Sequence, residues 1–213
     1  MTITPAAIAD GAGQCTIDEI DVASPRTDEV LVAIKAAGIC HTDHASLSWA
    51  RPLVMGHEGA GVVREVGAGV THVAPGDRVV LNWCIPCGTC VACMRDDTVL
   101  CETSLPAHVM APSRGHAHAD GTRWRGRPID RSFNIGTLSG LTLVRKEAVT
   151  PIPELVPFAA AAIVGCGVMT GVGSVVNVAR VQHGESVVVL GCGGVGLNVV
   201  QGARMVGASP IVA

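Results

Sequence analysis

Aromatic rings and charged groups are scarce in this chain. Its 213 residues include no tyrosine, three tryptophans and two phenylalanines, and only 15% of them are charged. So few rings argue against a surface that stacks single-stranded nucleic acid. The formal net charge of −3 provides no broad basic footprint for phosphate backbones, and the short basic run at residues 123–127 is interpreted as a solvated loop. We therefore expect no nucleic-acid partner.

A secretory signal is also missing, because the N-terminal residues lack a basic region followed by an apolar one. The expected location is the cytoplasm, where clustered cysteines indicate metal binding or catalysis rather than disulfides. One stretch indicates otherwise, since residues 155–179 carry no formal charge and are long enough to span a bilayer. Pro157 and several glycines would interrupt that span, so a membrane-anchored redox module is kept only as a minor alternative.

The pattern of apolar residues predicts a mixed α and β fold in two parts. Residues 1–153 are expected to form a β-rich domain, with strands at 28–39, 59–70, 76–81 and 141–153. Residues 104–140 are polar and irregular, which predicts an excursion over the surface. Residues 154–213 begin with apolar helical sequence and end in a strand, an amphipathic helix and a second strand. That order is typical of the βαβ unit of a doubly wound α/β domain.

Five of the nine cysteines lie between residues 84 and 101. Two-residue gaps let consecutive sulfurs converge on one point, and four thiolates would satisfy a tetrahedral zinc with no open position. Such a closed site is structural. A disulfide in an oxidising compartment and an iron–sulfur cluster are the alternatives. Because Cys84 extends the same register, the spacing alone does not select four ligands from this set: Cys84, Cys87, Cys90, Cys93 and Cys101.

A second set of donors is scattered along the chain. Cys40 and His57 offer one sulfur and one nitrogen, and Glu58 adds a carboxylate. A catalytic zinc needs three protein ligands and one open position, and Cys166 would supply the third. Singly, each residue has an ordinary explanation, since a lone buried cysteine behaves as a small apolar side chain. Only the set suggests a catalytic metal.

The sequence "GCGGVG" at residues 191–196 matches the G-x-G-x-x-G pattern of dinucleotide-binding loops. It follows a predicted strand and precedes a predicted helix, as that pattern requires. The first glycine permits the tight turn, the second lets a pyrophosphate approach, and the third lets helix and strand pack closely. The positive end of the helix then faces the phosphate. The expected cofactor-binding glycines are Gly191, Gly193, Gly194 and Gly196.

In the order "GICHTD … GHEGAG … CxxCxxCxxxxxxxC … GCGxxTGxG … GCGGVGL", these motifs resemble the zinc-dependent medium-chain alcohol dehydrogenases. The resemblance covers nearly the whole chain and is strongest to the class III-like branch with its long insert. It implies a GroES-like catalytic domain followed by the first part of a Rossmann domain, truncated at the C-terminus. The uncharged stretch at 155–179 then becomes an interdomain helical region that holds a zinc ligand rather than a membrane span.

The resemblance also implies roles for individual residues and two zinc ions per chain. The catalytic zinc falls to Cys40, His57 and Cys166, with Glu58 beside it as a transient ligand or a neighbouring support. The structural zinc falls to Cys87, Cys90, Cys93 and Cys101. The remaining implied roles are orientation of His57 by Asp43, outward proton transfer by Thr42, pyrophosphate binding by His41, packing on the nicotinamide by Thr170 and Val195, and substrate contact by Trp83. In the implied reaction, zinc binds the alcohol oxygen and a hydride moves to the nicotinamide.

Three departures from the family pattern bear on the substrate. Ala45 stands where many relatives end the proton relay with a histidine, and His44 lies next to it. Residues 104–140 look most like the class that oxidises thiol adducts of formaldehyde. The gap from Cys40 to His57 is shorter than in that class, however, and Leu105 replaces an arginine that would bind the carboxylate of the thiol. We therefore expect a primary or aromatic alcohol and its aldehyde, with the thiol adduct as the alternative.

The end of the sequence restricts what can be predicted of the cofactor. The acidic residue that would hold the adenosine ribose is expected beyond Ala213, so NAD is expected and NADP is not excluded. A catalytically inactive zinc-binding fragment is a second alternative, with weak folding over residues 184–213. The full-length protein is expected to be a homodimer or homotetramer. No role is assigned to Cys15, Cys84 or Cys192.

Overall fold

The computed structural model describes residues 1–49, 51–102 and 121–213. Within these residues the chain divides into two units, Met1–Ala162 and Ile163–Ala213. The first unit ends at Ala162, nine residues after the predicted domain boundary between residues 153 and 154. That predicted boundary remains a proposal. The mixed α and β fold class is confirmed, with a β-rich first unit and a βαβ second unit.

Two sheets build the first unit. The described residues of this unit contain eleven strands: β1 Thr2–Ala9, β2 Cys15–Val22, β3 Glu29–Gly38, β4 Leu53–Val54, β5 Glu58–Val66, β6 Arg78–Leu81, β7 Thr122–Trp124, β8 Arg127–Pro128, β9 Asp130–Arg131, β10 Leu141–Arg145 and β11 Val149–Pro151. One sheet has the order β8-β7-β2-β1-β4-β9, and the other has the order β10-β3-β5-β6-β11. Every pairing is antiparallel except that of β4 with β9.

Short helical segments connect these strands. The α-helices of the first unit are α1 His41–Ser46, α2 Val91–Met94 and α3 Phe158–Ala162. Single 3₁₀ turns are formed by Thr98–Leu100, Ser132–Asn134 and Lys146–Ala148. Helix α1 follows the C-terminal end of β3 directly, and β5 begins opposite that end, because Gly38 pairs with Glu58. The two strands therefore bring the segments after residue 38 and before residue 58 together.

Branched aliphatic side chains form the core of the first unit. Valines, leucines and isoleucines suit the pleated, half-buried surface of a strand. The larger buried cluster consists of Val30, Val32, Val63, Val70, Val73, Val79, Leu81, Ile85, Ile135, Val144, Ala148 and Val149. A second cluster lies around Ile8, Ile20, Val22, Leu31, Val54, Ile129 and Leu143.

The observed strands agree with part of the sequence prediction. Strands β3, β6, β10 and β11 fall within the predicted ranges, and β5 runs from Glu58 to Val66 rather than from residue 59 to residue 70. Gly67 follows it, where a Cβ would overlap the carbonyl oxygen of Arg26. Strands β1 and β2 were not predicted. Residues 121–140 are also not irregular as expected, since β7, β8 and β9 lie there. The rest of that predicted excursion, residues 104–120, lies outside the described residues.

The second unit contains one βαβ motif. Strands β12 Val187–Val188 and β13 Ile211–Val212 pair in parallel, and helix α5 Gly194–Met205 connects them. Both strands are shorter than predicted. Before them, π-helical turns at Val164–Val168 and Ser174–Ala179 flank helix α4 Met169–Gly173.

Glycines allow α4 and α5 to pack closely. A Cβ at Gly171 would lie 2.6 Å from the carbonyl oxygen of Val195, and a Cβ at Gly202 would lie 3.1 Å from the Cα of Val172. The strands contribute less burial, because Val188 is 67% exposed and Leu190 is 94% exposed. Helix packing is therefore the main source of apolar burial in this unit. Within the described residues, no helix combines the length and apolar character needed to cross a bilayer.

We expect Gly61→Ala to destabilise the first unit. Gly61 is buried in β5, and a Cβ there would overlap the backbone carbonyl of Ala33 in β3. Backbone overlap cannot be relieved by a rotamer change, so the expected cost is about 1–3 kcal/mol. Urea unfolding followed by tryptophan fluorescence would measure it, because all three tryptophans lie in this unit. Lys35→Ala, an exposed substitution on β3, is the control; equal midpoints for the two variants would contradict the packing argument.

Candidate functional site

Four cysteine sulfurs of the first unit converge on one point. The Sγ atoms of Cys87, Cys90, Cys93 and Cys101 all lie within 4.8 Å of one another. The Sγ atoms of Cys87 and Cys93 are 4.0 Å apart, about twice the length of a disulfide bond. Sulfurs around a tetrahedral zinc, at about 2.3 Å from the metal, would be about 3.8 Å apart. The spacing therefore fits a closed metal cage and excludes a disulfide between Cys87 and Cys93.

Backbone amides point at these sulfurs. The N–H of Cys87 donates to Cys101 Sγ at 3.2 Å, and the N–H groups of Thr89 and Cys90 donate to Cys87 Sγ at 3.4 Å and 3.3 Å. Such donors stabilise thiolates, the form in which cysteine binds metal. The loop therefore presents N–H groups that would favour charged sulfur in a metal-bound state.

The crowding of the sulfurs is itself unfavourable without a cation. Removal from water, followed by hydrogen bonds with Cys90, Cys101 and Cys87, raises the pKa of the Cys93 thiol to about 12. A divalent cation among the sulfurs would reverse this effect by stabilising the thiolates. The donor set, the spacing and the N–H groups therefore suit zinc.

The structure selects four cysteines from the five that the spacing left open. Among the described residues, Cys84 is not in the group whose sulfurs converge. Its backbone instead pairs with Asn82, because the N–H of Cys84 donates to Asn82 Oδ1 at 3.0 Å and Asn82 Nδ2 donates to the Cys84 carbonyl at 3.3 Å. Cys84 thus closes a local turn at the end of β6.

A second group of donors lies in the first unit where β3 ends and β5 begins. The ligand atoms of Cys40, His57 and Glu58 lie within 4.8 Å of one another. Cys40 precedes the first turn of α1, while His57 follows Gly56, whose φ of +92° turns the chain into β5. Sulfur, imidazole and carboxylate are the three ligand types that zinc accepts in proteins. His57 and Glu58 are buried, at 2% and 5% exposure.

Asp43 connects two of these candidate ligands, Cys40 and His57. Its Oδ1 atom lies 2.9 Å from Nδ1 of His57, and its Oδ2 atom accepts the backbone N–H of Cys40 at 2.8 Å. With Nδ1 held by the carboxylate, Nε2 is the imidazole nitrogen that can bind a metal. Because Asp43 is 1% exposed, this orientation is shielded from water.

The environment of Cys40 favours its thiolate. Partial burial opposes ionisation, but hydrogen bonds from the backbone and hydroxyl of Thr42, with His57 alongside, lower the pKa of the Cys40 thiol below its usual value. Thr42 is the second residue of α1 and is partly buried. Its hydroxyl therefore lies at the edge of the donor group.

Glu58 is placed by the pairing of β3 and β5. It stands opposite Gly38, and a Cβ at position 38 would overlap Oε2 of the Glu58 carboxylate. Thr137 also donates its hydroxyl to the carbonyl oxygen of Glu58 at 2.8 Å. A glycine at position 38 therefore provides the space in which this buried carboxylate lies.

Three of the five aromatic residues cluster together, and one of them, Phe133, contacts both tryptophans and the His57 ring. The Phe133 ring centroid is 4.7 Å from that of His57, 5.1 Å from that of Trp83 and 5.9 Å from that of Trp49. Trp83 was predicted to contact substrate, but Phe133 was not predicted. No sequence motif identifies Phe133, whose position depends on the turn at Ser132–Asn134.

The backbone at Phe133 is in a strained conformation. Its φ of 49° and ψ of 29° lie in the left-handed region, and Asn134 follows with a φ of 63°. Left-handed backbone is unusual for a bulky side chain and costs on the order of 1–3 kcal/mol. Such strain persists where the surroundings fix the residue, here against the imidazole of His57.

The remaining predicted residues of α1 lie nearer to solvent. His41 and His44 are both exposed on the helix, with ring centroids 5.9 Å apart. The predicted role of His41 in pyrophosphate binding is not tested by this geometry, and no role was predicted for His44. Leu105 lies outside the described residues.

The second unit holds the other predicted residues. Cys166 lies in the π-helical turn Val164–Val168, and Thr170 lies in α4. The glycine loop begins at Gly191, whose φ of +99° makes the turn, and a Cβ at Gly196 would overlap the Gly191 carbonyl. A Cβ at Gly193 or Gly194 would meet no atom within 4 Å. The loop therefore has the open approach and close packing expected of a pyrophosphate cradle. Val195 is 42% exposed at the start of α5.

Comparison with known proteins agrees with this arrangement. Residues 26–154 match the family described as alcohol dehydrogenase GroES-like domain. The chain is 41% identical to S-(hydroxymethyl)glutathione dehydrogenase of Paracoccus denitrificans, over 98% of this chain and 57% of that protein. This chain thus spans little more than half of that relative.

Solved structures give the same picture. An alcohol dehydrogenase zinc-binding domain protein from Burkholderia ambifaria superposes with a TM-score of 0.87 at 35% identity, over 99% of this chain and 58% of that one. Benzyl alcohol dehydrogenase from Acinetobacter calcoaceticus superposes with a TM-score of 0.86 at 29% identity, with the same coverage of 99% and 58%. With a matched family over more than half of its residues, the chain belongs to the zinc-dependent medium-chain alcohol dehydrogenases with a GroES-like domain.

Proposed function

We propose that this chain provides the zinc site and the first part of the dinucleotide site of an alcohol dehydrogenase. The reaction is a reversible hydride transfer between a primary or aromatic alcohol, with its aldehyde, and NAD(P). The observation that carries the proposal is the group of Cys40, His57 and Glu58, in which Asp43 fixes the imidazole through a 2.9 Å hydrogen bond. Sulfur and nitrogen donors with an oriented imidazole are characteristic of catalytic zinc.

Two zinc ions per chain are proposed. Cys40, His57 and Cys166 would hold the catalytic ion, and Glu58 would serve as a transient ligand or a neighbouring support. The four converging sulfurs of Cys87, Cys90, Cys93 and Cys101 would hold the structural ion. The first set leaves a position for substrate, whereas the second is closed by four ligands.

The residues around Cys40 would have separate roles in the reaction. When bound, zinc lowers the pKa of the alcohol and the nicotinamide accepts the hydride. Asp43 would keep His57 in the tautomer with its proton on Nδ1. The Thr42 hydroxyl, already hydrogen-bonded to Cys40, would receive the proton of the alcohol. With Ala45 in place of the relay histidine, the proton would leave toward solvent through water or His44.

The cofactor is proposed to be NAD, with NADP as the alternative. Gly191, Gly193, Gly194 and Gly196 would hold the pyrophosphate at the start of α5. His41 would bind the same pyrophosphate, and Thr170 and Val195 would pack on the nicotinamide ring. The open space at Gly193 and Gly194 supports the loop assignment.

The substrate is proposed to be a primary or aromatic alcohol. The ring of Phe133 against His57, with Trp49 and Trp83 packed on Phe133, suits an apolar or planar substituent. A thiol adduct of formaldehyde is the second candidate, because a 41% identical relative is named S-(hydroxymethyl)glutathione dehydrogenase. The missing arginine at position 105 argues against it. The domains are proposed as 1–153 and 154–213, the location as cytoplasmic and the full-length assembly as a homodimer or homotetramer.

The proposed function is tested by assaying zinc-loaded protein with NAD or NADP and benzyl alcohol, ethanol or S-(hydroxymethyl)glutathione. We expect reduction of the cofactor with a simple alcohol and loss of the rate on chelation of zinc. NADH binding, followed by nicotinamide fluorescence, separates cofactor binding from catalysis. The absence of both turnover and NADH binding would support the zinc-binding fragment instead.

The two metal sites are expected to respond differently to loss of one cysteine. Cys90→Ser removes one of the four proposed zinc ligands of the closed site. It should therefore unfold the surrounding loop and lower the zinc content from about two to about one per chain. Cys40→Ser should reduce activity more than stability. Zinc analysis and circular dichroism after thermal unfolding would measure both effects. Equal destabilisation by the two substitutions would contradict the division into closed and open sites.

Asp43→Asn is expected to weaken metal binding at the open site. The amide has similar size but removes the charge that favours His57 with its proton on Nδ1, so affinity for zinc should fall by roughly 10–100-fold. Chelator competition would measure this loss while the cage retains its metal. Asp77→Asn is the matched control, because Asp77 only accepts the N–H of Ala74 in a surface turn. Unchanged zinc affinity in Asp43→Asn would contradict the proposed orientation of His57.

A further inference from the structure

We propose that Phe133 is a positioning residue, which holds the His57 imidazole and the Trp83 indole in place and thereby selects planar, ring-containing alcohols. This inference rests on the proposed function, because it assigns a substrate class to the same site. It adds a residue that no motif of the chain identifies.

Phe133 completes the support of the His57 ring. Asp43 contacts the edge of the ring at Nδ1, and a contact at one edge does not by itself fix the tilt of the ring. Phe133 packs on it with centroids 4.7 Å apart and planes inclined by 39°. That contact restricts the tilt, so the direction of Nε2 depends on both residues.

Trp83 depends on packing for its position. Within the described residues, the buried Nε1 atom of Trp83 has no hydrogen-bond partner. A buried tryptophan usually fixes its ring through that N–H. Here the ring of Trp83 contacts Phe133 edge to face, with centroids 5.1 Å apart. It also packs on the larger buried cluster of the first unit. Loss of the Phe133 ring would therefore release the indole on one side.

The backbone conformation of Phe133 supports a functional constraint. A glycine would adopt its φ of 49° without strain, yet a large aromatic residue occupies the position. Phe133, Trp49 and Trp83 are all only partly buried. The two tryptophans pack on Phe133, and Phe133 contacts His57, so the three rings form one aromatic surface that a flat substituent can contact.

The test compares Phe133→Leu, Phe133→Tyr and Phe158→Leu. Phe158 is the other phenylalanine, and it lies in α3 under the guanidinium of Arg78, so its substitution is a matched control. The first readout is the visible spectrum of Co²⁺ bound at the open site, identified as the bands that Cys40→Ser abolishes. The second is the ratio of kcat/KM for benzyl alcohol to that for ethanol. Urea unfolding verifies that each variant folds.

We expect Phe133→Leu to change the cobalt bands and to lower the benzyl-to-ethanol ratio by roughly three- to tenfold, the loss of about one aromatic contact. Phe133→Tyr retains the ring and should preserve both readouts, even if Phe133→Leu folds poorly. If Phe133→Leu matches Phe158→Leu in both readouts, or Phe133→Tyr fails to preserve them, the inference is wrong. A native protein with cobalt bands but no alcohol turnover would contradict the proposed function, and the cobalt spectra would still decide whether Phe133 positions His57.

Discussion

The candidate site depends on one buried carboxylate. Asp43 accepts the Cys40 N–H on one oxygen and contacts His57 Nδ1 with the other, at 2.8 Å and 2.9 Å. It therefore ties the start of α1 to the residue that precedes β5, although fourteen positions separate Asp43 from His57 along the chain. A carboxylate with 1% exposure is unfavourable unless it is fully paired. The requirement to satisfy it keeps both metal-binding side chains in a single arrangement.

The sheet provides the frame for that carboxylate. The pairing of Gly38 with Glu58 brings the end of β3 to the start of β5, so that Cys40 and His57 lie just beyond the last paired residues. Functional side chains at the ends of rigid strands are held more accurately than those in long loops. Gly38 also leaves room for the Glu58 carboxylate. The same strand register thus positions three donors of different chemistry.

Local sequence patterns predicted the metal donors better than they predicted their surroundings. The cysteine spacing identified the cage because two-residue gaps constrain sulfurs directly, but only the folded loop separates Cys84 from the four that converge. Strands β1 and β2 were missed because threonine, alanine and aspartate weaken the strand pattern there, and pairing with neighbours decides the outcome. Phe133 was missed for a related reason. Its left-handed backbone and its contact with His57 exist only once distant segments have packed.

The two metal sites differ in what their surroundings require. In the cage, backbone N–H groups face the sulfurs while desolvation raises the pKa of Cys93, so a bound cation would favour the thiolates there. At Cys40, hydrogen bonds from Thr42 and the adjacent His57 outweigh burial and lower the thiol pKa, so the thiolate is favoured by the protein itself. At the second site the protein thus contributes part of the thiolate stabilisation that a cation would supply in the cage. An open coordination position, which catalysis by zinc requires, is compatible with such a site.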